Sequence, residues 1–256
     1  MSEPDMFSLA GRRALITGGG KGIGLSLAAA LAKAGAEIVL SDMSASRVES
    51  AAADLAGLGA KVSTAVFDVS NPSETRAAIS NVEKQTGEID ILVNNAGIHR
   101  YAALVDMTFE QWRQVLDVNL TGAFLAAQAV APGMIARGHG KIINICSLMS
   151  EGARPTTANY TAAKGGLKML TKAMCVEWAP HNIQVNGIGP GYILTELTKP
   201  LAEKPEFDAW VKGRTPAGRW GTPADLAGAA VFLASGASDF VNGQVLYVDG
   251  GWLAAL

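Results

Sequence analysis

Residues 13–24 read Arg13-Ala14-Leu15-Ile16-Thr17-Gly18-Gly19-Gly20-Lys21-Gly22-Ile23-Gly24 and carry the strongest indication of the architecture. The first five residues are typical of a buried β-strand, and the glycine-rich loop after them leads into a helical segment. Gly18, Gly22 and Gly24 form G-x-x-x-G-x-G, not the commoner G-x-G-x-x-G. Such glycines allow a tight turn, close approach of the backbone to a pyrophosphate, and close packing of helix on strand. The pattern predicts a phosphate-binding loop, and a simple turn is the alternative.

Short β-like runs alternate with helical segments through most of the chain. The predicted strands are 13–17, 37–41, 62–67, 89–93, 141–146, 183–187 and 245–248. The predicted helices are 22–34, 46–55, 72–85, 109–136 with an interruption near Asp117, and 159–179. Strands joined by helical crossovers form a parallel sheet with helices on both faces. The predicted fold class is therefore α/β, a single domain over residues 1–256 with a Rossmann-like, doubly wound parallel sheet of about seven strands.

Residues 189–221 interrupt this alternation with a stretch that is rich in proline and glycine and contains short helical pieces. A long irregular segment after the carboxyl end of a strand is a common place for an active-site lid. We expect a substrate lid there, and a surface elaboration is the alternative.

The composition argues against nucleic-acid and membrane partners. Of the 256 residues, 49% are hydrophobic and 17% are charged, and the net charge is −2. This balance lacks the basic face that nucleic acid requires, and no basic run indicates a membrane surface. We expect no membrane span, because the apolar segments are short or broken. The acidic start, residues 1–5, lacks the pattern of a signal peptide, which favours a cytoplasmic protein.

Neither the cysteines nor the histidines form a pattern for cross-linking or metal binding. Cys146 and Cys175 lie in apolar periodic segments, which favours free thiols in a reducing compartment. His99, His139 and His181 are scattered without metal-ligand spacing. We therefore expect no metal site.

Asp42 stands at the end of the second predicted strand, after the glycine-rich loop. An acid at this position binds a ribose 2′-hydroxyl and repels a 2′-phosphate, which favours NAD over NADP. Lys21 and Arg47 are cations within reach of a 2′-phosphate, so NADP is not excluded. Asp68 and Val69, after the third strand, are candidates to bind the adenine edge, and capping of the next helix explains them equally well.

Tyr160 and Lys164 are four residues apart in a predicted helix, which places both side chains on one face. A lysine ammonium beside a phenol stabilises the phenolate and lowers the tyrosine pKa from its free value of about 10. Such a pair is suited to exchange a proton with an alcohol, and a polar pair on a solvated helix face is the alternative. Ser147 upstream and Asn94-Asn95-Ala96-Gly97 favour the catalytic interpretation.

Together these motifs resemble the short-chain dehydrogenase/reductase family over essentially the whole chain. The matching segments are 17–24, 94–97, Asn119, Ser147 with Tyr160 and Lys164, Pro190-Gly191 and Asp249-Gly250-Gly251. The resemblance implies that Tyr160 is the acid/base, and that Lys164 lowers its pKa and binds the nicotinamide ribose. It implies that Ser147 hydrogen-bonds the reacting oxygen and that Asn119 maintains a proton relay through water. The residues that it assigns to an NAD(P) cofactor are Gly18, Gly20, Lys21, Gly22, Ile23, Gly24, Asp42, Asp68, Val69, Asn95, Ala96, Gly97, Tyr160, Lys164, Pro190, Gly191, Ile193 and Thr195.

Five stretches look like a narrower subgroup of that family, the gluconate 5-dehydrogenases (5-keto-D-gluconate 5-reductases). They are 143–147, 165–171, 182–192, 214–221 and 240–243. This likeness implies a sugar-acid substrate, most specifically D-gluconate and 5-keto-D-gluconate. The resemblance to the whole family implies a homotetramer that pairs the helices near 110–136 and 159–179. A 3-oxoacyl-thioester reductase or another sugar or polyol dehydrogenase is the alternative, and a non-catalytic nucleotide-sensing protein is a third.

A sugar acid needs a cation for its carboxylate and hydrogen-bonding groups for its hydroxyls. Arg154 and Arg100 are the candidate cations, because a guanidinium binds a carboxylate with two parallel hydrogen bonds. Glu151 is a candidate acceptor for substrate hydroxyls, beside Ser147 and Tyr160. The alternative is that these arginines are solvated loop residues or contacts between subunits.

Overall fold

Seven strands form one fully parallel sheet in the computed structural model, which describes residues 5–255. The strands are β1 (Arg13–Thr17), β2 (Glu37–Asp42), β3 (Val62–Val66), β4 (Ile91–Asn94), β5 (Gly140–Ile145), β6 (Ile183–Pro190) and β7 (Val245–Val248). Their order across the sheet is β3-β2-β1-β4-β5-β6-β7, and every neighbouring pair is parallel. The predicted fold class is confirmed. The prediction about a signal peptide rests on residues 1–5, of which residues 1–4 lie outside the described residues.

Helices connect the strands and cover both faces of the sheet. They are α1 (Gly22–Lys33), α2 (Ala45–Gly57), α3 (Pro72–Thr86), α4 (Phe109–Leu116), α5 (Gly122–Arg137), α6 (Ala158–Trp178), α7 (Lys199–Ala202), α8 (Pro205–Arg214) and α9 (Ala227–Ala234). A π-helical turn, Asp117–Thr121, joins α4 to α5 where the sequence predicts an interruption.

Capping residues explain why several helix boundaries were predictable. The side chains of Ser44 and Asn71 accept backbone N–H groups at the starts of α2 and α3, and Pro72 occupies the first turn of α3. Thr108 forms a capping box at the start of α4. At the end of α5, Gly138 has φ 68°, a left-handed conformation that glycine adopts without strain.

The core lies on both sides of the sheet because successive strand side chains point to opposite faces. Ile16 of β1 packs in one cluster with Leu31 of α1 and residues of α9. Its neighbour Leu15 packs in the other cluster, with Val130 of α5 and residues of α3. Both β1 side chains are fully buried. The sheet order reverses between β1 and β4, so a crevice opens at the carboxyl ends of these strands, where ligands of such folds bind.

The prediction that no segment is apolar and long enough to cross a membrane was wrong when helices are judged by length and composition. Phe109–Arg137 passes this test. In the fold, however, Ala126, Val130 and Met134 of this stretch are fully buried against the sheet. Helix α5, which supplies most of this stretch, is therefore a core helix of the α/β domain, and its apolar composition reflects packing inside the protein.

Two regions of regular structure were not predicted from the sequence. Helix α9 reads AGAAVFLA, which is apolar at nearly every position and so carries no helical periodicity. Strand β6 continues to Pro190, three residues beyond the predicted end, because Gly187–Pro190 pairs in parallel with Val245–Val248 of β7. The segment 189–221 does contain short helices, α7 and α8.

Candidate active site

The loop between β1 and α1 is shaped by glycines and by an asparagine that directly follows β4. Gly18 has φ 61°, and a Cβ on it would lie 2.8 Å from the Cα of Ala96. The Asn95 side-chain amide donates to the carbonyl oxygens of Thr17 and Gly18, each at 2.9 Å. Asn95 therefore joins the end of β4 to the loop. The absence of a side chain at Gly18 allows the loop backbone to approach the backbone of Ala96 closely.

The N-terminus of α1 is free to receive an anion. Lys21 precedes the helix in extended conformation and makes no side-chain cap, so no side chain of its own satisfies the first helical N–H groups. Those groups and the helix dipole favour a phosphate. The loop thus fits the pyrophosphate of a dinucleotide.

Asp42 and Arg47 form an ion pair at the end of β2, beside this loop. The Asp42 carboxylate is 7% exposed and lies 3.3 Å from the Arg47 guanidinium. A Cβ on Gly20 would be 2.9 Å from the same carboxylate, so Gly20 leaves room for it. Asp42 is at the position predicted for ribose binding, but its carboxylate is paired with the Arg47 guanidinium.

One cleft at the carboxyl ends of the strands brings together most of the predicted cofactor-binding residues, but its lining does not include Ser147, Asn119 or the candidate arginines. The predicted residues that line it are Gly18, Lys21, Gly22, Ile23, Asp42, Asn95, Ala96, Gly97, Tyr160, Lys164 and Thr195. Arg47, Ile98, Ile145, Glu196 and Leu197 complete its lining. An adjoining cavity shares Gly18 and Asp42 and is lined also by Asp68, Val69, Phe67 and Met43, as expected for an adenine site.

Tyr160 and Lys164 lie in the first two turns of α6 and face this cleft. The Lys164 ammonium donates a hydrogen bond of 2.6 Å to the carbonyl oxygen of Ile145, at the end of β5. It lies 5.6 Å from the centroid of the Tyr160 ring. Lys164 is 4% exposed, and burial lowers its pKa to about 8.

The expected lowering of the Tyr160 pKa is wrong for the chain alone. Burial raises the pKa of Tyr160 to about 12, and hydrogen bonding to the Ser147 side chain only partly opposes this. The reason is geometric: Lys164 directs its ammonium to the Ile145 carbonyl and not to the phenol oxygen. A buried phenol whose oxygen is not paired with a cation retains its proton.

Ser147 and Asn119 are held by backbone groups near the cleft. The Ser147 hydroxyl accepts the N–H of Met149 at 3.1 Å, just after β5. The Asn119 side chain, 1% exposed, accepts the N–H of Ile98 at 2.8 Å and donates to the Ile98 carbonyl oxygen at 3.0 Å. Both polar groups of the Asn119 amide therefore anchor the loop that follows β4.

The two arginines among the substrate candidates differ in placement. Arg154 holds its guanidinium carbon 5.0 Å from the ring centroid of Phe207 in α8, and its buried Nε has no hydrogen-bond partner among residues 5–255. Arg100 is exposed and donates to Gln114 and to the His99 carbonyl oxygen. Of the two arginines, Arg154 is the better placed to bind an anionic substrate.

Glu151 is engaged elsewhere. It pairs with the Lys168 ammonium and accepts the Tyr247 hydroxyl at 2.6 Å. The hydrogen bonds from Lys168 and Tyr247 lower the pKa of Glu151, so it stays ionised. These partners tie the loop after β5 to α6 and β7, which gives Glu151 a structural role in the chain alone.

Gly191 and Ile193 line a second cavity, with Thr215, Asp225 and Asp249, at the end of β6 and β7. Pro190, their neighbour, is the buried last residue of β6. Thr195 alone among the four predicted residues of this segment lines the cleft of Tyr160. The assignment of the other three to the cofactor stays a prediction.

An aromatic cluster connects the expected lid to the C-terminal segment. Tyr192 is at its centre, with ring centroids 4.8 Å from Trp252, 5.6 Å from Trp220 and 5.7 Å from Trp210. Aromatic pairs at these distances stabilise one arrangement of the segment. Sequence reasoning missed this cluster because its members are distant in the chain and share no spacing.

Cysteines and metal-ligating residues do not form a site in the described part of the chain. Cys146 is buried and Cys175 is partly buried, and both are free thiols. Within residues 5–255 no group of three or more histidine, cysteine, aspartate or glutamate side chains is arranged to hold a metal ion.

Three comparisons with known proteins match the chain over nearly its full length. The family described as "Enoyl-(Acyl carrier protein) reductase" matches residues 18–253. The chain is 51% identical over 256 residues to gluconate 5-dehydrogenase of Gluconobacter oxydans (strain 621H), covering 100% of both. It is 52% identical over 252 residues to 5-keto-D-gluconate 5-reductase of Escherichia coli (strain K12), covering 98% and 99%. A crystal structure of a gluconate 5-dehydrogenase from Burkholderia cenocepacia J2315 in complex with NADP and tartrate has 55% identity and a TM-score of 0.96, covering 98% of this chain and 99% of that chain.

Proposed function

Because the chain belongs to the short-chain dehydrogenase/reductase family and is an oxidoreductase with relatives that act on gluconate, we propose that it interconverts D-gluconate and 5-keto-D-gluconate with NAD(P). The observation that carries the proposal is one cleft that joins the glycine-rich loop to Tyr160 and Lys164. A hydride carrier and a proton-transferring group are the two requirements of this reaction.

Tyr160 transfers the proton in the proposed mechanism. When bound, NAD(P)⁺ would supply the hydride acceptor, and the positive charge of its nicotinamide ring would favour the phenolate. The Tyr160 phenolate then takes the proton from the oxygen of the substrate hydroxyl as a hydride leaves the carbon that bears this hydroxyl, and Tyr160 returns the proton in the reverse reaction. Ser147 donates a hydrogen bond to the reacting oxygen and stabilises its developing charge.

Lys164 and Asn119 support this transfer. The lysine ammonium has three donors, of which one goes to the Ile145 carbonyl oxygen, so two remain for the ribose hydroxyls of the cofactor. Asn119 belongs to the π-turn between α4 and α5, and such turns are frequent at functional sites. We propose that Asn119 anchors the water of the proton relay.

The choice between NAD and NADP rests on Asp42 and Arg47. The expectation that Asp42 favours NAD gains no support, since a relative with 55% identity was crystallised with NADP. The Arg47 guanidinium, 3.3 Å from Asp42, neutralises the acid and offers a partner for a 2′-phosphate. We therefore propose that the chain accepts NADP as well as NAD.

The assay that tests the proposal follows the reduced nicotinamide by absorbance, with D-gluconate, other sugar acids, neutral polyols and acyl thioesters, and with both cofactors. We expect the highest kcat/KM for gluconate or its 5-keto form. Turnover of 3-oxoacyl thioesters without turnover of any sugar acid would favour the alternative of a thioester reductase. In a cell, we propose that the protein works as a cytoplasmic homotetramer, in which the exposed Phe124 of α5 and Met169 and Val176 of α6 are covered.

Replacing Arg154 by alanine tests carboxylate recognition. A hydrogen bond to a charged group contributes about 1.5–3 kcal/mol, so KM for gluconate is expected to rise about 10- to 100-fold. KM for a neutral polyol should change far less, because that substrate has no carboxylate. Steady-state kinetics with both substrates measure the difference.

Arg100→Ala is the matched control, because Arg100 is an exposed arginine of the neighbouring loop. We expect it to change both KM values by similar small factors. A larger gluconate-selective effect for Arg100→Ala than for Arg154→Ala would assign the carboxylate to Arg100 and contradict our choice.

A further inference from the structure

Three rings form a nearly parallel stack that ends on the proposed acid/base. The His99 imidazole lies between Tyr101, with centroids 3.9 Å apart and planes at 15°, and Tyr160, with centroids 4.3 Å apart and planes at 14°. One face of the Tyr160 ring is therefore covered by His99. In the sequence, His99 is one of three scattered histidines and carries no predicted role.

The backbone on both sides of His99 is fixed by buried amides. Ile98, just before it, exchanges two hydrogen bonds with the Asn119 side chain. The carbonyl oxygen of Arg100, just after it, accepts the side-chain amide of Asn159 at 3.0 Å. Asn159 is fully buried and directly precedes Tyr160 in α6. The segment that carries His99 is thus anchored to the same helix that carries Tyr160.

His99 remains uncharged in this position. Burial lowers its pKa to about 4, and the positive charges of Arg154 and Lys164 act in the same direction. Its buried Nδ1 has no hydrogen-bond partner among the described residues, 5–255. A neutral ring without a partner for its buried nitrogen contributes through its shape and its contact area.

Several other groups lie around Tyr160. Lys164 approaches from α6 itself, Ser147 and Cys146 lie at the end of β5, and Tyr101 lies beyond His99 in the loop after β4. Arg154 lies beside Tyr101, with its guanidinium carbon 5.8 Å from that ring. His99 is the ring in direct contact with the face of the phenol.

We propose that His99 is a positioning residue, whose stacked ring holds Tyr160 in its orientation and excludes water from one face of the phenol. This inference rests on the proposed function, because it assumes that Tyr160 transfers the proton. The proposal adds His99, in the loop after β4, to the residues that affect the rate of the reaction. The imidazole acts through contact and not through acid–base chemistry of its own.

His99→Ala and His99→Phe separate stacking from the other roles of a histidine. Loss of the ring in His99→Ala is expected to lower kcat for alcohol oxidation about tenfold, since a small misplacement of a catalytic group has effects of this order or larger. The pH midpoint of kcat should move down by about one unit, because water then solvates the phenolate. His99→Phe retains the stack and is expected to recover most of kcat and the wild-type midpoint.

A purely structural role would lower the melting temperature without moving the pH midpoint, and this result would overturn the proposal. A His99→Phe variant as impaired as His99→Ala would also overturn it, because the imidazole nitrogens would then be required. If His99→Ala does not fold, His99→Gln serves in its place, since glutamine fills much of the space without a stacking ring.

A measurement that does not depend on catalysis distinguishes failure of this proposal from failure of the proposed function. The absorbance titration of the Tyr160 phenolate, obtained by subtracting a Tyr160→Phe variant, needs no substrate. We expect a lower midpoint in His99→Ala than in the wild type. If no alcohol is oxidised but the midpoint moves, the proposed function fails and the positioning role stands; an unchanged midpoint overturns the positioning role.

Discussion

Replacing Tyr160 by phenylalanine is expected to lower kcat about 10²- to 10⁴-fold in both directions, the usual contribution of general acid–base catalysis. The ring still fits its place against His99, whereas the hydroxyl that exchanges the proton is lost. Cofactor binding should change little, because the glycine-rich loop, Asp42 and Lys164 are untouched. Steady-state kinetics and fluorescence titration with NAD(P)H measure the two quantities separately.

Tyr247→Phe is the matched control, since it removes a phenol hydroxyl that donates to Glu151. We expect a small loss of stability, about 1 kcal/mol for one hydrogen bond, with kcat retained. Near-normal turnover of Tyr160→Phe would refute the assigned acid/base role. A large loss of kcat in Tyr247→Phe would show that the pair with Glu151 takes part in the reaction.

Gly24→Ala is expected to have the second large effect, on stability and cofactor affinity together. A Cβ on Gly24 would collide with the carbonyl oxygen of Gly18 and the side-chain amide of Asn95, which join the loop to β4. Overpacking of this kind typically costs about 1–3 kcal/mol, and here a backbone atom must move. We expect the melting temperature to fall by several degrees and the Kd for NAD(P)H to rise at least about tenfold.

Gly57→Ala is the control for glycine replacement in a helix. A Cβ on Gly57, at the end of α2, would meet no atom within 4 Å. An alanine there is expected to stabilise the protein by up to about 1 kcal/mol and to leave cofactor binding unchanged. Unaltered NAD(P)H affinity in Gly24→Ala would contradict the account of the loop as a closely packed phosphate-binding turn.

The fold was predictable where local signals are strong. The β1–loop–α1 unit combines a buried strand, three spaced glycines and a helix start, and the structure has it within one residue of the prediction. Helices α3 and α4 begin at side-chain caps that the sequence displays. Helix α9 was missed because it is apolar at nearly every position, and burial between α1 and the sheet gives it no polar face.

The site was predictable only in part, because spacing along the chain does not report where a side chain points. The four-residue spacing of Tyr160 and Lys164 does bring both to one cleft. It gave no indication that the Lys164 ammonium turns to the Ile145 carbonyl, or that burial raises the pKa of Tyr160 to about 12. Likewise, the sequence places Glu151 near Ser147 without revealing its pair with Lys168.

The elevated pKa of Tyr160 makes the proton affinity of this residue the central question. A phenol with a pKa of about 12 is a competent acid for ketone reduction near neutral pH but a scarce base for alcohol oxidation. The nicotinamide ring of the oxidised cofactor carries a positive charge and should favour the phenolate. Alcohol oxidation is therefore expected to accelerate with rising pH until the Tyr160 midpoint in the cofactor complex is passed.

The most direct measurement is an absorbance titration of the Tyr160 phenolate with and without NAD(P)⁺, with Tyr160→Phe as the subtracted reference. We expect almost no phenolate below about pH 10 in the free protein. In the cofactor complex we expect the titration midpoint of the Tyr160 phenolate to be lower by more than about one pH unit, and the pH profile of kcat to have the same midpoint. Two results would contradict the assignment of Tyr160 as the group that exchanges the substrate proton. One is a phenolate midpoint that does not change when the cofactor binds. The other is a pH profile of kcat whose midpoint differs from that of the phenolate in the complex.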